Sequence, residues 1–274
     1  MITGCDLAAI AREIESRSGV PSFFVPSNGI GSYVSGAGQA LRLYAERFVL
    51  PAHEKKKNAV NILGATPLDF SVNGQIQSIA RRLTEGGFSV QSVWAMGSET
   101  AAIDRTGEAE VNLVVSSVGL PVAKFLRERF GTPYVVGVLF GDTVSALLLG
   151  ALQKSIHTGE NEILPAGTPD APDTVILGES VTSRSLAAAL LLDYGICAEV
   201  ICPVELPREL EGSFCRQIED EQDLQAALSG ARRVIADPLF APIVPQGAQF
   251  FPLPHEAYSG RIYRKQIPNL VTTW

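Results

Sequence analysis

Short apolar runs alternate with amphipathic segments along residues 58–158, and this alternation is the strongest constraint on the fold. The apolar runs read "NAVNILG", "FSVQSVWA", "VNLVV" and "TPYVVGV". The intervening segments have helical spacing and end at glycine, as in "NGQIQSIARRLTEGG" and "GLPVAKFLRERFG". Because each pair of parallel strands needs a crossover that covers a face of the sheet, the alternation predicts an α/β unit with a parallel, Rossmann-like sheet.

The same rhythm returns after a Pro- and Gly-rich interval, "GENEILPAGTPDAPD". Strand-like runs such as "TVILG", "ICAEVIC" and "QFFPLPH" alternate there with helical segments. We therefore predict a middle domain over residues 57–158 and a C-terminal domain over residues 172–274, whose aromatic and basic tail packs on a neighbouring surface. The pattern in residues 1–56 predicts two helices and one short strand, "VPSFFVPS". These three elements are too few for a domain.

Charge and composition exclude several classes of function. The 274 residues carry a formal net charge of -7, whereas nucleic acid and anionic membranes both require clustered Lys and Arg, so neither is expected as a partner. No apolar run is long enough to cross a bilayer and the first residues lack a basic leader, so we expect a cytoplasmic protein. A composition of 46% hydrophobic and 19% charged residues leaves apolar surface to bury, which favours a homo- or hetero-oligomer.

The loops after the predicted strands are the candidate ligand-binding positions, because open parallel sheets bind ligands at the carboxyl ends of their strands. These loops contain Thr66 and Asp69 in "LGATPLDFSVNG", and Ser116 and Ser117 in "SSVGLP". None matches the dinucleotide pattern G-x-G-x-x-G or a phosphate loop, so no NAD is expected. The two serines either cap the following helix or face a ligand, and both roles stay open.

Histidine and cysteine supply the other candidates. His255 ends the run "QFFPLPH" at a ligand-like position, although a lone histidine is often only a hydrogen-bonded residue. Cys197, Cys202 and Cys215 fit neither zinc nor iron–sulfur spacing, so we expect buried thiols. Cys5 lies near a terminus that could form a subunit interface and is kept as a candidate metal ligand. No pattern identifies a catalytic residue, since a serine nucleophile would need a G-x-S-x-G turn and a histidine base.

Three stretches of the sequence resemble a known family. Residues 2–41 include "GCDLAAIAREIE", similar to a family helix that begins G-D-D-[IL], and residues 58–141 look like nearly the whole middle domain. The segments "VNLVV" and "LRERFGTPY" are the most specific, and "PHEAYSG" adds a weaker match. The chain thus resembles the component 1 family of nitrogenase-type oxidoreductases, which includes molybdenum–iron protein subunits, cofactor scaffolds and light-independent protochlorophyllide reductase subunits.

The resemblance implies tandem Rossmann-like parallel-sheet domains, with residues 1–56 as a remnant of a first domain that is mostly lacking. It also implies paired subunits, an ATP-dependent iron–sulfur reductase as electron donor, an iron–sulfur cluster between subunits, and a metallocofactor or tetrapyrrole in an inter-domain cleft. By the same comparison, Ser116 stands where a cysteine holds the cofactor, with Ser117 free to cap the helix, and His255 matches a histidine ligand. The chain departs from the family here, because a hydroxyl is a poorer iron ligand than a thiolate and Cys5 matches none of the cluster cysteines.

Two functions are compatible with this comparison. The first is a redox subunit that handles a metallocofactor or tetrapyrrole in the cleft between domains. The alternative is a non-catalytic protein that binds or carries such a cofactor and has lost the cluster-ligating region. An unrelated two-domain binder of small molecules, built like periplasmic binding proteins, is disfavoured because no export signal is evident.

Overall fold

Two five-stranded sheets form the frame of the molecule. The structure, a computed structural model, describes residues 5–26, 29–165 and 172–273. All paired strands within the two sheets run parallel. The strands are β1 Lys56–Leu63, β2 Ser89–Val93, β3 Ala109–Val114, β4 Tyr134–Val136, β5 Glu162–Ile163, β6 Thr174–Leu177, β7 Ala198–Cys202, β8 Cys215–Gln217, β9 Arg233–Ala236 and β10 Gln249–Pro252.

Helices connect the strands and cover the sheet faces. They are α1 Leu7–Ser18, α2 Tyr33–Phe48, α3 Pro67–Phe70, α4 Gln75–Glu85, α5 Thr100–Asp104, α6 Leu120–Phe130, α7 Gly141–Thr158, α8 Ser180–Tyr194, α9 Glu221–Leu228 and α10 Glu256–Ser259. In the part of the chain that the structure describes, none of them is long and apolar enough to cross a membrane.

The order of strands places one topological switch point in each sheet. The first sheet has the order β2-β1-β3-β4-β5, and the second has the order β10-β9-β6-β7-β8. When the strands of each sheet are renumbered from 1, the first sheet has the flavodoxin-like order 2-1-3-4-5. The second sheet has the order 5-4-1-2-3, which is the Rossmann order 3-2-1-4-5 read from the other edge. The order therefore reverses between β1 and β3 in one sheet and between β6 and β9 in the other. The predicted α/β fold with tandem Rossmann-like parallel sheets is confirmed.

A shared hydrophobic core holds the two sheets together. Strand β1 is buried over its last five residues, as expected for a parallel strand with helices on both faces of its sheet. Leu148 of α7 and Leu186 of α8 belong to one buried cluster that includes residues of both sheets. The sheets are thus packed through their helices, which fixes the position of one switch point relative to the other.

Three local predictions from the sequence differ from the structure. The strand predicted at "VPSFFVPS" is wrong for residues 20–26, which form no strand; Pro21 and Pro26 lack the N–H that a ladder needs. Ser27, the last residue of that stretch, lies outside the described residues. Strands β5 and β8 were not predicted, because two or three residues are too few to show a period.

The last described residues return from the second sheet to the first. We call residues 264–273 the return segment. The side chain of Asn73 donates to the carbonyl oxygen of Pro268 at 3.0 Å, and Nη2 of Arg82 donates to that of Val271 at 2.8 Å. Val271 is fully buried, so the expectation that the tail packs on a neighbouring surface is confirmed.

Candidate ligand-binding crevice

A crevice lies between the switch points of the two sheets. Its walls include Asp69 from the segment after β1, Glu179 from the loop after β6 and Asp237 from the loop after β9. The backbone N–H of Ser117, which follows β3, donates to Oε1 of Glu179 at 2.9 Å and joins the two sheets at this edge. The cavity in this crevice measures about 60 Å³ and is partly open to solvent. It lies where open parallel sheets bind their ligands.

The loops after β1 and β3 approach closely because residue 64 is glycine. Gly64 has a φ of 85°, and a Cβ there would lie 2.9 Å from the carbonyl oxygen of Ser116 and 2.8 Å from the nitrogen of Gly119. Any side chain would therefore strain the backbone and push the loops apart. The glycine keeps Asp69 and Ser116 within reach of each other.

The Asp69 carboxylate is buried and accepts hydrogen bonds from three hydroxyl groups. Thr66 Oγ1 and Ser116 Oγ each donate to Oδ2 at 2.7 Å, and Tyr33 Oη donates to Oδ1. Thr66 also caps α3, since its hydroxyl accepts from the N–H of Asp69. Three donors suit an ionised carboxylate, which can only accept. The structure thus brings together the predicted residues Thr66, Asp69 and Ser116 and adds Tyr33, which sequence reasoning missed.

Ser116 and Ser117 divide their roles differently from the expectation. Ser116 Oγ accepts from the N–H of Val118 at 3.3 Å while donating to Asp69, so Ser116 caps the following turn and supports the Asp69 carboxylate, but it does not itself line the cavity. The hydroxyl of Ser117 is buried without a hydrogen-bond partner among the described residues. The expectation that Ser117 can cap the helix is therefore wrong, because Ser116 occupies the position before the first turn and the Ser117 hydroxyl accepts no N–H of the described residues.

Two further buried acids were missed by sequence reasoning. Glu179 caps α8 by accepting from the N–H groups of Val181 and Thr182. Asp237 accepts from the N–H of His255 at 2.7 Å and from the hydroxyl of Ser259 at 2.8 Å. The available signal was their position, since each acid directly follows a predicted strand, but a capping acid is so common there that it does not single out a site.

His255 and Tyr258 present unpaired polar atoms to the cavity. Nδ1 of His255 accepts the N–H of Ala257 at 3.2 Å, so a neutral ring carries its proton on Nε2. That Nε2 lies 3.5 Å from Oδ1 of Asp69, yet it has no hydrogen-bond partner within the described chain. Tyr258 Oη is equally buried and unpaired, and the two rings are 4.9 Å apart. Tyr258 was not predicted as a site residue.

Both buried tyrosines of the crevice remain protonated. Burial raises the pKa of Tyr258 well above its ordinary value, and the negative charges of Glu179 and other neighbouring groups add to the effect. Burial, followed by the charge of Asp69, likewise raises the pKa of Tyr33. Each therefore keeps its O–H throughout the neutral range; that of Tyr33 donates to Asp69, and that of Tyr258 has no acceptor within the described residues.

These residues do not fit an iron cofactor. Ser116 offers a hydroxyl that already donates to Asp69, and Nδ1 of His255 already accepts the N–H of Ala257. Nowhere in residues 5–26, 29–165 and 172–273 do three or more His, Cys, Asp or Glu side chains form a group able to hold a metal ion. Cys5 is exposed, and its role as a metal ligand stays a prediction.

The remaining cysteines are placed as structural thiols. Cys202 and Cys215 are buried on adjacent strands with their sulfur atoms 3.9 Å apart, while Cys197 is half-buried. The prediction of buried thiols is confirmed for the first two. None of the three lines the cavity between the switch points.

Two parallel sheets that meet at their switch points over a crevice lined by buried acids define an α/β protein with a candidate ligand site between its sheets. Residues 1–176, more than half of the chain, match the family model described as nitrogenase component 1 type oxidoreductase. The chain belongs to that family.

Curated relatives of similar sequence are B subunits of light-independent protochlorophyllide reductase. The subunit of Nostoc punctiforme is 30% identical over 108 residues, which cover 39% of this chain and 21% of that one. The subunit of Synechococcus sp. (strain CC9311) is 26% identical over 204 residues, covering 69% of this chain and 37% of the relative. The chain therefore spans well under half the length of these relatives.

A solved structure described as nitrogenase Cp1 at pH 5 shares the fold. It superposes with a TM-score of 0.63, covering 94% of this chain and 64% of that chain, at 14% sequence identity. At this identity the likeness concerns the fold alone.

Proposed function

We propose that this chain is the ligand-holding part of a nitrogenase-like oxidoreductase. The ligand is a reducible organic molecule of the tetrapyrrole class, held at the crevice by hydrogen bonds from His255 Nε2 and Tyr258 Oη. The ligand class is taken from the names of the protochlorophyllide reductase relatives. The proposal includes a cytoplasmic location and an oligomeric assembly, both in line with the composition.

The observation that carries the proposal is the pair of unpaired donors in one cavity. A buried polar atom without a partner costs roughly 1–3 kcal/mol, so a folded protein rarely leaves two side by side unless something else pairs with them. Within the described residues, the buried atoms His255 Nε2 and Tyr258 Oη have no hydrogen-bond partner, although Nε2 lies 3.5 Å from Asp69 Oδ1, and both side chains line the same cavity. An acceptor atom on a bound molecule would satisfy both groups.

The proposed reaction is a reduction of the bound ring. A partner of the ATP-dependent iron–sulfur reductase class supplies the electrons. The ring takes up one proton with each electron, so negative charge does not build up beside Asp69, Glu179 and Asp237. Hydrogen bonds from His255 Nε2 and Tyr258 Oη orient the ligand in this site.

The size of the cavity restricts which part of the ligand enters. About 60 Å³ holds a few heavy atoms, whereas pockets for whole cofactors measure roughly 300–1,000 Å³. One edge of a larger ring would therefore lie between His255 and Tyr258. Ile267, Pro268 and Leu270 form part of the cavity wall, so entry of more of the ring requires the return segment to move.

Absorption titrations with haem, a corrinoid and a sirohydrochlorin-like ring test the proposal. We expect a spectral shift with at least one of them and a dissociation constant that rises about 3- to 10-fold in His255→Asn and in Tyr258→Phe, the effect of losing one neutral hydrogen bond. Asn keeps an oxygen that can cap Ala257 while removing the Nε2 donor. His157→Asn and Tyr194→Phe serve as matched controls, since both side chains are exposed.

Two results would contradict the proposal. One is the absence of a spectral shift with all three rings. The other is equal affinity of the wild-type protein and the His255→Asn/Tyr258→Phe double variant, which would place the ligand elsewhere.

A cofactor carrier is the second candidate function. The observation that favours it is that no group of three or more His, Cys, Asp or Glu side chains within the described residues could hold a metal ion. Adding a nitrogenase-type reductase, ATP and dithionite to the ligand complex separates the two functions. Bleaching or a band shift of the bound ring supports the redox subunit, and an unchanged spectrum supports the carrier.

A further inference from the structure

The cavity between the switch points is bounded by negative charge. Asp69, Glu179 and Asp237 all line it, and each is less than a tenth exposed. No lysine or arginine is among the described residues that line the cavity. The unpaired donors of His255 and Tyr258 therefore stand in an acidic environment.

The three carboxylates are fixed in place. Asp69 is held by three hydroxyl groups, Glu179 by the first turn of α8, and Asp237 by the N–H groups of Leu239 and His255. Moving out of the cavity would break these hydrogen bonds, and a buried acceptor that lacks a donor costs free energy. The carboxylates therefore cannot move away from an anion that enters the cavity.

The nearby cations are committed elsewhere. The guanidinium of Arg184 donates to the carbonyl oxygens of Leu210 and Leu164, both at 3.0 Å. Arg264 forms a bidentate ion pair with Glu256, in which Nε donates to Oε1 at 2.6 Å and Nη2 donates to Oε2 at 2.7 Å. Neither side chain lines the cavity, so neither can neutralise an anion bound there.

The geometry of the donors sets the distance between a ligand and the nearest acid. His255 Nε2 lies 3.5 Å from Asp69 Oδ1, so an atom bound to Nε2 sits within roughly 6 Å of that carboxylate. Two unit negative charges at this separation, in a site of reduced dielectric constant, repel strongly enough to weaken binding at least about tenfold. A neutral acceptor escapes this penalty.

We propose that the crevice selects a neutral carboxamide-type group and excludes carboxylates and phosphates. A carboxamide has a carbonyl oxygen that accepts from His255 and Tyr258, and an NH2 group that donates to the surrounding carboxylate oxygens. Amidinium groups satisfy the acids as well but lack the acceptor oxygen. On a large ligand, free carboxylates would remain outside the crevice while an amide-bearing edge enters.

This inference rests on the proposed function, because it assigns the chemical class that the same site recognises. Acetamide and acetate provide a matched pair of probes with four heavy atoms each and one difference in charge. Their binding is followed by NMR at neutral pH, through the ring signals of His255 and Tyr258 in the full chain. We expect acetamide to shift both sets of signals, and acetate to bind at least about tenfold more weakly.

Variants locate the origin of the selectivity. Asp69→Asn should bring the two affinities closer together, whereas Asp142→Asn should leave their ratio unchanged, since the Asp142 side chain is 95% exposed. If Asp69→Asn does not fold, the wild-type ratio alone decides the question.

The outcomes separate the two proposals. Acetate binding as tightly as acetamide, with both moving the His255 and Tyr258 signals, overturns the charge selectivity and leaves the proposed ligand site standing. No shift of these signals with either probe overturns the ligand site itself, and the selectivity with it.

Discussion

Asp69 receives hydrogen bonds from parts of the chain that are far apart in sequence. Tyr33 belongs to α2, Thr66 follows β1, and Ser116 follows β3. One carboxylate therefore ties helix α2 to both loops of the first switch point. Asp69 therefore has a structural role in the crevice in addition to any role in binding.

Replacing Asp69 by alanine should destabilise the fold by about 2–4 kcal/mol, because the substitution leaves buried hydroxyl groups without their acceptor. Urea unfolding followed by circular dichroism measures the effect. Glu128→Ala removes an exposed carboxylate and should change the free energy of unfolding by less than about 0.5 kcal/mol. Similar values for the two variants would show that the hydroxyl groups find other partners.

At the scale of elements, α10 is tied to the start of the return segment through one acid. The Glu256 carboxylate accepts from the hydroxyl of Ser71 and pairs with Arg264. The hydrogen bond from Arg264, with a further contribution from Ser71, lowers the pKa of Glu256 below its ordinary value. A lowered pKa in the folded state means that the ionised carboxylate stabilises the fold.

The stabilisation by Glu256 should therefore be complete at neutral pH and fall as the pH drops through the ordinary glutamate range toward the folded-state pKa. We expect Glu256→Gln to unfold at lower urea concentration than the wild-type protein at pH 7, with a difference that shrinks between about pH 5 and pH 3.5. Glu128→Gln, at an exposed position, is the matched control. A difference that stays constant with pH would contradict the assigned role of the charge.

The elements differ in how well sequence could predict them. The central strands could be predicted because β1 and β3 each have five buried residues, which makes them mostly apolar runs in the sequence. Thr66, Asp69 and Ser116 were predicted because the carboxyl end of a parallel strand is a binding position. Tyr33 comes from a helix start and reaches Asp69 only through the tertiary packing of α2, which no local pattern encodes.

At the scale of the whole molecule, the return segment decides how closed the crevice is. It supplies Ile267, Pro268 and Leu270 to the cavity wall, yet its backbone is held mainly by side chains of the first unit, such as those of Asn73 and Arg82. The division of the chain into residues 57–158 and 172–274 stays a prediction, and limited proteolysis around residue 165 would test it.

Arg82→Ala should loosen the return segment, because Nε and Nη2 of Arg82 both donate to the carbonyl oxygen of Val271. Losing a charge-assisted contact of this kind should speed amide hydrogen exchange in residues 264–273 about tenfold while leaving β1 and β3 protected. Mass spectrometry of peptic fragments measures the exchange. In the control variant Asp142→Asn, Arg82 still donates to the carbonyl oxygen of Val271, so its amide exchange should match that of the wild-type protein. Unchanged exchange in Arg82→Ala would show that other contacts hold the return segment.

The return segment also gives the molecule an order of assembly. Its hydrogen bonds to Arg82 and Asn73 join residues 189 and 195 positions apart, and it is synthesised after every strand of both sheets. Units of a chain generally fold as they leave the ribosome, in order from the N-terminal side. The side of the crevice that this segment closes therefore stays open until residues 264–273 have left the ribosome, which is later than the synthesis of every strand.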